Sequence, residues 1–441
     1  MALLLMAIGF GQSWSVSLSI LNLCLISAVM ALGVNIQWGY AGIFNVGIMG
    51  FAALGGLAGV LVSRPPVPEA WAAGGLGVLG ALAIVAGTAV AIVMARRRLA
   101  KGVVRAGATT ALVIVGYALT RMVFDPAVDA IEAVEPARTG YLGGLGLPIL
   151  LSWIVGGLFA AGAAWGIGRI ALGLRSDYLA IATLGISEIV IAVLKNEDWL
   201  ARGVKNVTGL DRPVPYELDL QVADWFRDLV IAVRGSALQG LDAATRDEVI
   251  RDMVVESSGI FVKLCYALLF VAVLGIILWL SERALNAPWG RMMRAIRDNE
   301  EAARAMGKDV TARHLQVFVL GSAVVGIAGA MLTTLDGQFT PGTYQPLRFT
   351  FLIWVMVIVG GSGNNFGSVL GGFLIWFAWI EAEPAGRWLM EVITAGMAPD
   401  SPVRVHLLDS AAHMRLLTMG IILLVVMRFS PRGLLPEVER R

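Results

Sequence analysis

The residues from Pro288 to Gly307 hold the densest pattern of chemically informative side chains in this 441-residue chain. Pro288 suits a first helical turn. Met292, Met293 and Ile296 recur at helical spacing beside Arg291, Arg294 and Arg297, which predicts an amphipathic helix against lipid headgroups. Asp298 then reads as an N-cap, Glu301 three residues on completes a capping box, and Gly307 supplies a left-handed stop. The enclosed helix of about eight residues would be roughly 12 Å long, too short to hold by itself. It therefore needs a partner surface. Ala302 and Ala303 allow close approach, Met306 offers an adaptable apolar contact, and Glu301 and Arg304 place charge at the rim. A helix bound only to lipid is the competing reading.

Other polar residues stand inside apolar runs, where they are expensive and face neighbouring helices or a water-filled path. Glu188 is the sharpest case. It follows Asp177 by eleven residues, close to three helical turns, so both carboxylates fall on one face. Either Glu188 meets a solute's ammonium or it links helices. Asn22, Asn35 and Asn45 read first as helix links and second as solute contacts. The glycines of Gly39-Tyr40-Ala41-Gly42 fit either an unwound helix segment that exposes backbone groups or a plain tight turn. The run from Gly360 to Gly367 is no phosphate-binding loop, since it lacks a Gly-Lys-Ser/Thr ending. Gly363, Gly367 and Gly371 follow a four-residue spacing that favours close helix contact or a bend between half-spans.

The elements that must position these residues follow from composition. Hydrophobic residues make up 57% of the chain and charged ones 15%, so the chain needs lipid as its solvent. A span takes about 20 apolar residues. Apolar runs fall at 14–36, 43–62, 71–94, 106–124, 148–170, 178–194, 260–280, 315–335, 349–360, 366–380 and 414–427. The expected fold is all-α, a polytopic bundle of ten or eleven spans, with one pair of neighbours open to being halves of a broken helix. The first apolar run has no charged residue before it and is expected to stay as a span. Arginines and lysines cluster at 96–105, 169–175, 283–313 and 428–441, which places those loops and the C-terminus in the cytoplasm. The segment 195–258 has eight basic and twelve acidic residues and is expected outside. It is long enough for small amphipathic helices around Val222, Trp225, Phe226, Leu229 and Val230, serving as a surface helix or a docking platform.

A net charge of +2 and no basic-aromatic stretch exclude nucleic acid as a partner. The two cysteines lie in apolar runs, the three histidines are far apart, and no metal or catalytic constellation appears, so no enzyme is expected. A transporter driven by an ion gradient would carry more buried carboxylates.

Glu301-Ala302-Ala303 followed by Gly307 resembles the signature of ABC importer permeases. The stretch 289–306 with Val310-Thr311, the run 175–185 and the run 32–42 together resemble the branched-chain amino-acid permease family. The resemblance implies one transmembrane domain over 1–441, with an external insertion at 195–258 and a cytoplasmic coupling loop at 282–314. It implies an importer of branched-chain or related amino acids, or of urea or short amides, in the bacterial inner membrane. The partners it implies are a second homologous permease, two ATPase subunits that hold ATP and Mg, a periplasmic solute-binding protein and the bilayer. Asp298, Glu301, Ala302, Ala303, Arg304, Met306 and Gly307 would couple to the ATPase. Asn35, Tyr40, Asn45, Asp177, Thr183 and Glu188 would line the path, with Gly363, Gly367 and Gly371 packing helices.

Overall fold

The computed structural model describes residues 2–136, 138–238, 242–398 and 400–437. Arg440 and Arg441 of the terminal basic group, and residues 239–241 of the predicted external segment, lie outside the described residues. The chain is an all-α, polytopic transmembrane bundle. In chain order its helices are α1 (Ala2–Gly11), α2 (Trp14–Ala41), α3 (Ile48–Ser63), α4 (Pro68–Arg98) and α5 (Val103–Glu132). Next come α6 (Leu150–Ala171), α7 (Ser176–Asn196), α8 (Glu217–Val222), α9 (Asp224–Arg234) and α10 (Ala243–Asn286). The last are α11 (Pro288–Asp298), α12 (Glu300–Ala305), α13 (Val310–Asp336), α14 (Pro346–Gly360), α15 (Asn365–Ile393) and α16 (Pro402–Phe429).

All eleven predicted apolar runs fall on helices. Among the described residues, nine helices are long and apolar enough to cross a membrane, while α3 and α14 are shorter, at 16 and 15 residues. Their shortness is tolerable because both are buried almost throughout, so protein surrounds their ends at membrane depth. The core gathers α2, α3, α6 and α13 with α14 and α15. Small residues let these backbones approach closely. A side chain at Gly329 would strike the Ala52 carbonyl, and one at Gly326 the Gly156 carbonyl.

Helices α14 and α15 are not halves of one broken helix. They fold back on each other, with Gly371 against the Met356 carbonyl and Gly367 against the Gly360 carbonyl. Gly363 lies in the intervening loop, in the left-handed region at φ 84°. The C-terminal segment straps this hairpin. Leu434 and Leu435 donate backbone hydrogen bonds of 2.9 Å each to Val359 O and Gly360 O, and Asn364 Nδ2 donates to Pro436 O at 3.2 Å.

Two features lie apart from the core. Helices α4 and α5 pack mainly on each other and reach the rest through a small cluster of Ala70, Ile131 and Leu142, joined by Trp199. Helix α10 has 44 residues, or roughly 66 Å at 1.5 Å per residue, about twice a bilayer's apolar thickness. Its first part therefore projects beyond the bundle. There α9 packs Phe226 and Val230 inward, Phe226 edge-on to Phe261, while Trp225 and Leu229 stay exposed.

Candidate functional site: an arginine pedestal under a short helix

Extended backbone at Ala287, with Pro288 at the first helical turn, ends α10 and starts α11. The expected amphipathic helix forms, but its apolar face meets protein rather than lipid. Met293 and Ile296 are fully buried, packed into the main core where α11 meets α2. The period of three to four residues fixed which side chains share a face, and the facing surface came from a helix some 250 positions earlier.

The charged face of α11 is also engaged. Arg297 donates to the Gly39 carbonyl at the end of α2, pairs with Glu437 at 2.9 Å, and reaches Asp298 Oδ1 at 3.2 Å. Arg294 donates to Leu285 O at 3.1 Å and lies 3.7 Å from Glu437. These contacts pin α11 to α2, to the end of α10 and to the C-terminal strap. Arg291 and Arg432 join them around an open cleft of about 840 Å³. Arg297 and Glu437 were missed as site residues. The only signal was the three-residue spacing of Arg291, Arg294 and Arg297.

The short helix α12 stands on this pedestal. Its N-cap is Asn299, whose Oδ1 accepts from Ala302 N at 2.9 Å, and not Asp298, which ends α11 and faces Arg297. Glu300 and Arg304 pair one turn apart at 2.6 Å. At the far end Lys308 N donates to Ala303 O and Gly307 N to Arg304 O, with Gly307 at φ 75°, the paired bonds of a left-handed helix stop. No residue of α12 is buried. Glu301, Ala302, Arg304, Met306 and Gly307 are exposed, and Met306 is 80% exposed. Ala303 is half-buried against the core.

Above the pedestal the predicted path residues separate into three groups. Asn35 Nδ2 donates to Asn365 Oδ1 at 3.0 Å, and Tyr40 Oη donates to the same oxygen at 2.5 Å. Gly363 N donates to Asn35 Oδ1 at 2.8 Å, and Asn365 Nδ2 donates to Glu282 Oε1 at 2.8 Å. This knot joins α2, α10, α15 and the Gly363 loop. Helix α2 stays helical through Tyr40 and ends in a left-handed turn at Gly42. In the second group, Asn45 Nδ2 donates to Gln37 Oε1 at 2.9 Å and Thr183 Oγ1 accepts from Val46 N at 3.1 Å. Asp177 and Glu188 form the third group, exposed on α7, with Glu188 lining an outer cleft alongside Lys195, Arg348 and Arg415. Among the described residues, no three His, Cys, Asp or Glu side chains gather to hold a metal ion.

A family model described as "Branched-chain amino acid transport system / permease component" matches residues 100–427. The chain is 29% identical over 252 residues to the high-affinity branched-chain amino acid transport system permease protein LivM of Escherichia coli K12. That match covers 56% of this chain and 53% of the relative. It is 28% identical over 172 residues to the probable branched-chain amino acid transport permease protein LivM of Methanocaldococcus jannaschii, covering 39% and 46%. A shorter likeness, 30% over 96 residues, joins it to the xylose transport system permease protein XylH of E. coli K12, covering 21% and 24%. The chain spans about half the length of the curated LivM relatives it matches. No solved structure matches.

Proposed function

Because the chain belongs to the family of branched-chain amino acid transport system permease components, we propose that it is the membrane-spanning subunit of an ATP-driven importer of branched-chain or related amino acids. It sits in the bacterial inner membrane, with the arginine pedestal and the C-terminal strap on the cytoplasmic side, where short loops concentrate Arg and Lys. The observation that carries this reading is α12, a capped six-residue helix with no buried residue, standing on a pedestal tied into the bundle. So short a helix gains its stability from what it docks into.

In this reading α12 lodges in an ATPase subunit that binds ATP and Mg. Closure of the ATPase pair moves α12, and the rigid links of Arg297 to Gly39 O and Glu437 pass that motion to α2 and the α14–α15 hairpin. A second homologous permease completes the path, and a periplasmic binding protein delivers the solute to the opposite face. The Asn35–Asn365 knot lies where this motion would enter the bundle.

Reconstituted vesicles test the reading by measuring amino-acid uptake and ATP hydrolysis together. Replacing Glu301 by Ala is expected to abolish uptake while the assembly stays in the membrane and hydrolyses ATP uncoupled from transport. Wild-type uptake by that variant, or crosslinks from Met306 to lipid alone, would remove the coupling role.

A further inference from the structure

Helix α9 carries more apolar surface than the rest of the chain covers. At roughly 3.6 residues per turn, Trp225, Leu229, Val233, Phe226 and Val230 fall on one continuous arc. Phe226 and Val230, on one side of that arc, are buried where α9 meets α10. The other side is bare, with Trp225, Leu229 and Val233 all exposed.

Contacts with α10 fix the direction in which the bare side points. Both ends of α9 are tied at one level of α10. Gln221 Nε2, just before the helix, donates to Ser258 Oγ at 3.1 Å, and Arg234, its last residue, pairs with Glu256 at 2.6 Å. The helix therefore lies across α10. Trp225 and Phe226 set their rings against Phe261, with centroids 6.2 and 5.5 Å away, while Arg227 reaches the opposite way along α10 to Asp247 at 3.9 Å. At 1.5 Å per residue Phe261 stands roughly 33 Å along α10 from Arg283, about one bilayer's apolar thickness, and Asp247 roughly 21 Å farther out. The aromatic side of α9 thus points toward the membrane and its arginine side away from it, at the end of the bundle opposite the pedestal.

We propose that α9 is an interfacial helix seated in the lipid leaflet opposite the pedestal, with Trp225, Leu229 and Val233 among the headgroups and the first acyl carbons. Tryptophan suits that depth because its ring is apolar and its N–H polar. The seat is apolar rather than electrostatic. Helix α9 carries two arginines and two aspartates, and both arginines are paired with acids of α10, so it has no surplus positive charge to draw it to anionic lipid. Because α10 runs unbroken from this contact to Asn286, the seat also fixes how far the pedestal stands from the opposite leaflet. It depends on the membrane span of α10 and is independent of what the protein transports.

Spin labels on Leu229→Cys, Val233→Cys and Asp228→Cys, one at a time in the full chain carrying Cys24→Ala and Cys265→Ala, read the depth. The chain is held in nanodiscs of phosphatidylcholine or of phosphatidylglycerol. Access of oxygen, which partitions into lipid, is compared with access of a nickel chelate, which stays in water. The labels on Leu229→Cys and Val233→Cys are expected about 5–10 Å below the headgroup boundary in both lipids, and the Asp228→Cys label in water. A photoreactive side chain at Leu229, with both native cysteines kept, should crosslink to phospholipid. A Leu229→Cys label as open to nickel as the Asp228→Cys label puts the helix in water and overturns the seat. Shielding from both reagents, as beneath a second copy of this chain or a docked soluble protein, overturns it too. Shielding confined to phosphatidylglycerol would mean a charge-driven contact and likewise overturns the apolar seat.

Discussion

Arg297 serves three oxygens on three different parts of the chain: Gly39 O, Glu437 and Asp298. A lysine keeps the charge but not the planar fork that reaches them together. Arg297→Lys is therefore expected to lower uptake nearly as far as Arg297→Ala, with ATP hydrolysis continuing, when both are assayed in the same vesicles. Full transport by Arg297→Ala would show that the pedestal needs no such clamp. Asn365 is the corresponding centre of the buried knot. Asn365→Ala strands Asn35 Nδ2 and leaves the Tyr40 hydroxyl only its longer bond of 3.4 Å to Ser281 O. Each buried polar group left unpaired costs about 1–3 kcal/mol. The expected outcome is a lower thermal unfolding midpoint in detergent. Asn35 was legible in the sequence because a polar residue in an apolar run must find a partner, whereas Tyr40 stood out only through its flanking glycines. Asn365 was not legible, and Arg297 was legible only as one of three evenly spaced arginines, because their partners lie 330 and 258 positions away.

Local rules read the short helices almost correctly. The stop at Gly307 was legible because only a residue free to enter the left-handed region can close α12 there. The N-cap was displaced by one position. Asp298 and Asn299 are both good caps, and the tie was decided by Arg297 drawing Asp298 toward α11. Left-handed backbone costs a branched residue roughly 1–2 kcal/mol, whereas Asn tolerates it. Gly307→Val is thus expected to lose uptake and Gly307→Asn to keep most of it, both reaching the membrane in normal amount. Equal transport by the two would mean that the turn is not needed for coupling. The face of α11 shows the limit of periodicity: it groups Met293 with Ile296 and does not say whether lipid or α2 covers them.

Across the whole molecule, apolar run length gave the order of the apolar helices, because a bilayer asks about 20 apolar residues of each span, but not which of them are long enough to cross. It did not reveal that α3 and α14 are short inserts wrapped by their neighbours, or that α4 and α5 stand aside as a pair. The pair's independence is testable. A bulky residue at Gly116 would collide with Thr88 on the facing helix. Gly116→Leu should therefore abolish crosslinking between cysteines placed on α4 and α5 while uptake continues at the wild-type rate. A collapse of uptake would mean that the hairpin belongs to the working core. The strap of Leu434, Leu435 and Glu437 has a consequence in time. Ribosomes deliver these residues after every helix they fasten, so a nascent chain already inserted in the membrane holds Arg294 and Arg297 without their acid and the α14–α15 hairpin without its clasp. Delivery of Leu434 to Glu437, rather than insertion of the last helix, is what locks this end of the bundle, and a chain stalled before Leu434 would leave that seat unfinished.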